Sequence, residues 1–378
     1  GVRLVGSEMC IRDSLPIMID YKLHIPGPVD VSAEAYQAMS TRVMGHRSPD
    51  FVDLYNSCQP QLQELFQTKD PVFLSTSSAW GVMEGAIRNL SSRKVLCCMC
   101  GAFSDKWLDV SKRCGNQADG LEVEWGSHID PALLDEKLSS GEYDLVTLVH
   151  NETSCGMMNP LEDLMKVLAK YPEVISVIDT VSSFSVVPIP KDDWGIDVIL
   201  TGSQKALALP PGLALLTVSD RAFARAESIE GRGYYFDFLE FLKNHEKGMT
   251  PSTPAIPQIH GLKYTLDQIF TEGVEKRHAR HSRLNDMVHS WVDQKGFKLL
   301  PEQNFASKSL TCVKNNLEMD IAGFVKALKV EKKIAIDGGY GKIKGKTFRI
   351  SNMGNETDDS MAHLLNCMDD LLPRFLPS

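Results

Sequence analysis

The sequence predicts an α/β protein in which a mostly parallel sheet is followed by a smaller α+β domain. From about residue 70, short apolar runs rich in β-branched residues alternate with longer amphipathic stretches. Near-continuous apolar strands separated by helices are typical of a parallel sheet covered on both faces. After about residue 218 this alternation ends and the composition changes. The length of 378 residues fits one large and one smaller domain.

The large domain is predicted to cover residues 18–264. Amphipathic stretches predict helices over 83–90, 106–113 and 161–171, where apolar side chains recur with helical spacing. The apolar runs that predict its strands are PVFLS, KVLCCMC, DLVTLVH, EVISVID, DVILTG and GLALLTV.

The small domain is predicted to cover residues 265–378. Before it, the segment RGYYFDFLEFLKNHEKGMTPSTPAIP is aromatic and then rich in Pro, Ser and Thr, and we expect an extended excursion there. The elements that follow are a long helical region over 261–294, alternating segments such as SLTCVKN, a helix over 321–328, the run KIAIDGGYGKIKGKTFRIS and a last helix from Ser360.

The composition argues against several function classes. Lys and Arg total 40 against 49 Asp and Glu, a formal net charge of −9, which disfavours general binding to nucleic acid. No apolar run approaches the roughly 20 residues that cross a bilayer, so we expect no membrane association. Residues 1–17 lack helical or strand periodicity and carry charges where a secretion signal would be apolar. We expect them to be a non-native or disordered extension.

The nine cysteines are irregularly spaced, which indicates reduced, buried thiols and a cytoplasmic protein. Cys97, Cys98 and Cys100 lie in one apolar run, where alternate side chains of a strand point to opposite faces. No metal site is predicted.

Polar residues follow the predicted strands at the edge where open α/β sheets bind ligands. The segment STSSAW, residues 75–80, places small hydroxyl residues at a strand-to-helix turn. Free N–H groups and the helix dipole at such a turn suit a phosphate, and a plain Ser N-cap is the alternative.

Asp179 ends the run EVISVID, and Lys205 follows the run DVILTG. A buried carboxylate needs a cationic or hydrogen-bonding partner, although Asp179 also suits a helix cap. A poorly hydrated lysine has a lowered pKa and is a good nucleophile, whereas a lone lysine is more often solvated. Together, a phosphate cradle, an acid for a ring nitrogen and a lysine for covalent attachment match pyridoxal 5′-phosphate.

The order of these motifs and their residues resemble those of the class-V aminotransferases of aspartate-aminotransferase fold type I, notably the alanine:glyoxylate and serine:glyoxylate or pyruvate group. The resemblance extends from HIPGPVDVS at residue 24 to FRISNMG at residue 348. It implies transfer of an amino group from a small amino acid, of alanine or serine type, to glyoxylate or pyruvate. Its most specific segments are IPGP, GHRSPDF, HNETSCGMMNPL, VIDTVSSF, TGSQKALALPPG and FRISNMG.

The resemblance also implies roles for single residues. Lys205 would attach the cofactor and act as general acid and base, and Asp179 would pair with the ring nitrogen. Phe103 would stack on the ring, unless it is an ordinary core residue, and Thr153 would hydrogen-bond the phenolic oxygen. The other cofactor-binding positions would be Ser77, Ser78, Ala79, Trp80, Val181 and Gln204, with Thr253 supplied by the second subunit of a homodimer.

Trp80 departs from the His or Thr that many relatives carry at this position, so the side-chain part of phosphate binding differs here. Arg349 resembles the arginine that binds the substrate carboxylate through two parallel hydrogen bonds, although the residue alone reads as a surface arginine. The backbone at Gly27 would close over the same carboxylate. The run GGYGKIKG lacks a dinucleotide-binding spacing and predicts a mobile, solvated loop near the substrate entrance.

Other activities stay open at this point. Transamination between 2-aminoethylphosphonate and pyruvate would use Arg349 for a phosphonate. Removal of sulfur from cysteine is less favoured, because such enzymes place a His over the cofactor ring where this chain has Phe103. A nucleotide-dependent oxidoreductase lacks its fingerprint here. A binding protein without catalysis would have little reason to keep Lys205 and Asp179 in register.

Overall fold

The structure is a computed structural model that describes residues 21–377. The extension predicted at residues 1–17 lies outside the described residues. The helices are α1 Ala33–Met39, α2 Pro49–Phe66, α3 Ala79–Leu90, α4 Ala102–Arg113, α5 Pro131–Leu138, α6 Leu161–Leu168, α7 Asp220–Glu227, α8 Phe238–His245, α9 Ile256–Glu272, α10 Val274–Gln294, α11 Ile321–Glu331 and α12 Asp358–Leu371. The strands are β1 Lys22–Leu23, β2 Val72–Ser75, β3 Lys94–Met99, β4 Gln117–Glu122, β5 Leu145–Val149, β6 Asn151–Glu152, β7 Met157–Met158, β8 Ile175–Asp179, β9 Val198–Gly202, β10 Ala214–Val218, β11 Lys298–Leu299, β12 Leu310–Lys314, β13 Ile334–Ala335 and β14 Thr347–Ser351.

A seven-stranded sheet in the order β2-β10-β9-β8-β5-β3-β4 forms the centre of the protein. The pairs β3–β4, β3–β5, β5–β8 and β8–β9 are parallel, and β10 runs antiparallel to both of its neighbours. This is the mostly parallel sheet that the apolar runs predict. The carboxyl ends of β2, β3, β5, β8 and β9 therefore meet at one edge.

The sheet is buried on both faces, which explains why its strands are apolar at consecutive positions. Every residue of β5, β8 and β9 is buried. Alternate residues of β3 enter two different cores: Leu96 packs with the α2 and α6 side chains, and Val95 packs with those of α3 and α7. Helices on both faces thus remove the alternating polar pattern of a half-exposed strand.

Three local differences from the sequence prediction have simple causes. Strand β4 has the sequence QADGLE, which carries no apolar run, and it lies at the edge of the sheet. The segment expected to be an extended excursion contains α8, whose Phe238 and Phe241 are buried. The helical region over 261–294 is divided between α9 and α10 at Gly273, whose φ of 89° ends α9.

A smaller sheet with the order β11-β12-β14 packs with α10, α11 and α12 around a separate apolar core near the end of the chain. The boundary predicted between residues 264 and 265 falls inside α9 and stays a prediction. Within residues 21–377, no helix has both the length and the apolar character needed to cross a membrane.

Candidate active site

A cavity of about 270 Å³ lies at the carboxyl edge of the central sheet. Asp179 is the last residue of β8, and Lys205 lies three residues beyond β9. The predicted site residues that line the cavity are Gly27, Ser78, Ala79, Trp80, Phe103, Thr153, Asp179, Val181, Gln204 and Lys205. Three further predicted residues, Ser77, Thr253 and Arg349, do not line it.

Lys205 is a buried amine in close contact with the N-terminal segment of the described chain. Its Nζ donates to the carbonyl oxygen of Pro26. Burial and the nearby Arg349 charge lower the pKa of Lys205 to about 8, although Asp179 and other carboxylates partly offset them. Gly27 has a φ of 112°, and a Cβ there would stand 2.9 Å from Lys205 Nζ. The backbone at Gly27 therefore approaches the amine more closely than another residue would allow.

Asp179 is a carboxyl group that is costly to ionise in this environment. It is 4% exposed, and its Oδ1 accepts the backbone N–H of Val181 at 2.9 Å. Burial raises the pKa of Asp179 to about 7, against the opposing effect of that N–H and of Lys205. The helix cap that the sequence left as an alternative is wrong, because residues 181–186 form turns and not a helix. Asp179 faces the cavity.

The amino end of α3 lines one side of the cavity. Ser78 is the N-cap of this helix, and its side chain makes no capping hydrogen bond. The first turn of a helix leaves N–H groups without partners inside the helix, and its dipole favours an anion. Ser77 lies just behind, where its hydroxyl is 3.0 Å from that of Ser75. The Trp80 ring packs against Trp107, with ring centroids 5.9 Å apart.

Two residues of the HNETSCG segment, Glu152 and Thr153, are buried polar residues, and Thr153 lines the cavity. The hydroxyls of Thr153 and Ser182 are in direct contact. Glu152 is fully buried, and its carboxylate accepts the backbone N–H of Ser104 at 2.9 Å and that of Phe103 at 3.4 Å. Glu152 thereby fixes the start of α4, the element that carries Phe103.

Arg349 lies in β14 and is 4% exposed, so it is not the surface arginine that the residue alone indicates. Its Nη1 donates to the carbonyl oxygen of Thr153 at 2.8 Å, and its Nε donates to Asp337 Oδ1 at 2.9 Å. The positive charge of Arg349 lies close enough to Lys205 to contribute to the lowered pKa of that amine.

The glycine-rich run GGYGKIKG is predicted to be a solvated loop, but one of its residues packs against residues of the site. Its Tyr340 stacks on Phe103, with ring centroids 5.3 Å apart and an angle of 20° between planes. The Cζ of Arg349 also lies 5.4 Å from the centroid of the Tyr340 ring. The Nζ of Lys342 lies 4.3 Å from the centroid of the Trp125 ring. Tyr340 is 43% exposed. Through this residue the loop places an aromatic ring beside Arg349.

Thr253 lies apart from this cavity, in a separate small depression with Thr76 and Tyr235. The sequence analysis did not single out Asp337, Tyr340 or Glu152 as site residues. Glu152 stands in a motif that was already recognised, so its position beside Thr153 was the available signal. Asp337 and Tyr340 become neighbours of the site only through the pairing of their segment with β14. Within residues 21–377, no cluster of His, Cys, Asp and Glu could hold a metal ion.

Comparisons with known proteins agree with this geometry. An uncharacterized aminotransferase of Methanocaldococcus jannaschii is 34% identical over 354 residues, which cover 92% of this chain and 91% of that protein. A serine–glyoxylate aminotransferase of Methylorubrum extorquens is 32% identical over 355 residues, 90% of this chain and 88% of that protein. The crystal structure of an alanine–glyoxylate aminotransferase from Nostoc sp. has a TM-score of 0.89 at 26% identity and covers 98% of both chains.

A family model described as Aminotransferase class-V matches residues 29–353. The chain belongs to the class-V aminotransferase family. As a class-V aminotransferase of fold type I it is a transaminase, and its cofactor is pyridoxal 5′-phosphate. The residues present fit that cofactor. A protonated ring nitrogen would remove the cost of the buried Asp179 charge, and the uncapped helix end at Ser78 suits its phosphate.

Proposed function

We propose that this class-V aminotransferase moves an amino group from a small neutral amino acid, of alanine or serine type, to glyoxylate or pyruvate. The observation that carries the proposal is that the Lys205 amine and the Asp179 carboxyl line one cavity, and that the buried Arg349 donates to the backbone of Thr153, which lines the same cavity. The serine–glyoxylate and alanine–glyoxylate names of two similar proteins support the same choice.

Each of these residues has a distinct part in the proposed reaction. Asp179 would hold the ring nitrogen in its protonated form, and Ser78, Ala79 and Gln204 would hold the phosphate. When bound, pyridoxal phosphate supplies the electron sink that makes the Cα–H bond of an amino acid acidic. A general base must then remove that proton at the operating pH.

Lys205 is the residue that we assign to this proton transfer. Its lowered pKa, about 8, makes part of the amine neutral near neutral pH and therefore able to accept the proton from Cα. In the second half of the cycle the same Nζ would return a proton to the Cα of the product amino acid. Arg349 would hold the substrate carboxylate, and Gly27 would leave room for it beside the amine.

We further propose a homodimer with shared active sites. Thr253 does not line the cavity of its own chain, which agrees with a role in completing the phosphate site of a second subunit. The cytoplasmic location stays a prediction from the cysteine pattern of the sequence.

A half-reaction panel tests the substrate assignment. The purified holoenzyme is mixed, without an acceptor, with L-alanine, L-serine, L-aspartate or 2-aminoethylphosphonate, and the change in the cofactor's visible absorption is followed over time. We expect L-alanine or L-serine to react fastest. The Lys205→Ala variant, loaded with cofactor, is the control and should not react. Exclusive reaction with 2-aminoethylphosphonate would refute the small-amino-acid assignment and favour the phosphonate alternative.

A further inference from the structure

Asp337 is an acidic residue in direct contact with the arginine to which the proposed function assigns the substrate carboxylate. Its Oδ1 accepts from Arg349 Nε at 2.9 Å and lies 2.8 Å from Nη2. The same oxygen also accepts the backbone N–H of Gly339 at 2.8 Å. The Asp337 side chain keeps 28% of its surface exposed, whereas that of Arg349 keeps 4%.

The backbone holds this pair in place. Arg349 N donates to Asp337 O at 2.7 Å, and Asp337 N donates to Arg349 O at 3.2 Å, as in an antiparallel bridge. This main-chain pairing places the two residues side by side, so their contact does not depend on side-chain rotamers alone. A carboxylate at position 337 is a permanent part of the surroundings of the guanidinium.

The donors of Arg349 can be counted. A guanidinium has five N–H groups. Asp337 accepts the Nε–H and forms an ion pair with Nη2, and the Thr153 carbonyl accepts one N–H of Nη1. Each terminal nitrogen therefore keeps at least one N–H, and two such groups can bind one further carboxylate. The ring of Tyr340 lies beside the guanidinium and reduces the space in which a larger anion could bind there.

The charges of the pair decide what kind of anion it accepts. Arg349 and Asp337 together are neutral, so a ligand with one negative charge gains hydrogen bonds with little net repulsion. A ligand with a second negative charge at the same position meets the Asp337 carboxylate without a second cation from this pair to offset it.

We infer that Asp337 is a specificity-determining residue, which selects a monoanionic carboxylate at Arg349 and disfavours a dianionic phosphonate or phosphate group. The inference rests on the proposed function, because it requires Arg349 to bind the substrate carboxylate. It goes beyond that function by giving a physical reason for a choice between amino acids and aminoalkylphosphonates, which Arg349 alone does not make.

Inhibition of the alanine half-reaction by two unreactive anions tests this inference. Propionate carries one charge, and ethylphosphonate carries two at a pH above its second pKa. The quantity of interest is the ratio of the two inhibition constants in the holoenzyme. For Asp337→Asn, which keeps the oxygen that accepts from Arg349 but loses the charge, we expect ethylphosphonate to gain about ten-fold to hundred-fold relative to propionate. Asp337→Glu should keep the ratio within a few-fold of wild type.

Two controls separate charge selection from a purely structural role. Asp105→Asn removes a carboxylate that bonds Trp125 near the same loop but does not contact Arg349, and its ratio should equal that of wild type. Loss of a merely structural contact in Asp337→Asn would weaken both anions equally and leave the ratio unchanged. That unchanged ratio in a folded Asp337→Asn protein overturns the inference.

A measurement on the unmodified enzyme covers the case in which the variants do not fold. The ratio is measured at pH values on both sides of the second pKa of ethylphosphonate, with propionate correcting for titration of the protein. We expect the dianion to bind more weakly than the monoanion, and tighter binding of the dianion overturns the inference.

Arg349→Lys distinguishes this failure from failure of the proposed function. If Arg349 binds the carboxylate, propionate inhibits this variant more weakly, whether or not Asp337 determines specificity. If propionate inhibition is unchanged, the assignment of the carboxylate to Arg349 is wrong, and the inference falls with it.

Discussion

At the scale of single residues, the cost of the Asp179 charge is the feature with the clearest consequence. In the unfolded chain its carboxyl titrates near its usual value of 3.8, whereas in the folded apoprotein burial raises its pKa to about 7. Between these values the folded state binds more protons than the unfolded state. The Asp179 contribution therefore makes the apoprotein less stable as pH rises through this window.

We predict that Asp179→Asn removes this contribution. The free energy of unfolding of the apoprotein variant, measured relative to wild type by denaturant titration, should rise by up to about 4 kcal/mol between pH 4 and pH 8. The variant should at the same time bind pyridoxal phosphate more weakly, because an amide does not pair with a protonated ring nitrogen as a carboxylate does. A variant whose stability follows the wild-type pH profile in parallel contradicts the raised pKa.

The type of a single residue was informative about the site where an ionisable residue follows or ends an apolar run, which is uncommon in the sequence of a folded protein. Lys205 and Asp179 could be singled out because a charged group is costly to bury without a partner, and these two stand at or just past the ends of apolar strands. Asp337 was not predictable in the same way, because its partner Arg349 lies twelve residues further along the chain and nothing between them indicates the antiparallel pairing.

At the scale of elements, the start of α4 depends on a side chain from another segment. Gly101 precedes this helix, and Glu152 supplies the carboxylate that its first N–H groups need. A Cβ at Gly101 would stand 2.3 Å from Glu152 Cγ, so the glycine is required for this close approach. The position of Phe103 follows from the same contact.

We predict that Glu152→Ala lowers the free energy of unfolding by about 3 kcal/mol, because it leaves buried N–H groups of Ser104 and Ser154 without their acceptor. Denaturant titration of the holoenzyme and the variant measures the change. Glu84→Ala is the matched control, since Glu84 forms a half-exposed ion pair with Arg88 on α3, and its loss should cost at most about 0.5 kcal/mol. Equal effects of the two substitutions would contradict the capping role of Glu152.

Elements were predictable where one face or both faces of a strand or helix are apolar. Strand β4 was missed because it lies at the sheet edge and carries Asp119, Gly120 and Glu122 among its six residues. Helix α8 was missed because its short sequence lies in a segment rich in aromatic residues, Pro, Ser and Thr. Its Phe238 and Phe241 reveal an apolar face only once they are seen to pack on the core.

At the scale of the whole molecule, the proposed shared site has a direct test in mixed dimers. We predict that the protein has twice the mass of its 42.0 kDa chain in solution, and that Thr253→Ala weakens cofactor binding about ten-fold by loss of one phosphate hydrogen bond. Light scattering and cofactor titration measure these two quantities.

Hybrids of Lys205→Ala and Thr253→Ala chains decide whether Thr253 acts between subunits. If it does, each hybrid holds one site with both substitutions and one site with neither, so wild-type cofactor affinity returns in half of the hybrid's sites. If Thr253 acts within its own chain, no site of the hybrid is free of substitution, and the recovery does not occur. A monomeric protein would contradict the shared site outright.

The α/β class and the strands of the parallel sheet could be predicted from the sequence, and so could the position of Lys205 and Asp179 at strand ends. These features depend on local hydrophobic patterning and on the position of costly polar groups at strand ends, both of which can be read along the chain. By contrast, the contacts of Asp337 and Tyr340 with Arg349, and of Glu152 with the start of α4, depend on the tertiary structure. These neighbours come from distant segments, and strand pairing and packing, which no short window of sequence contains, bring them together.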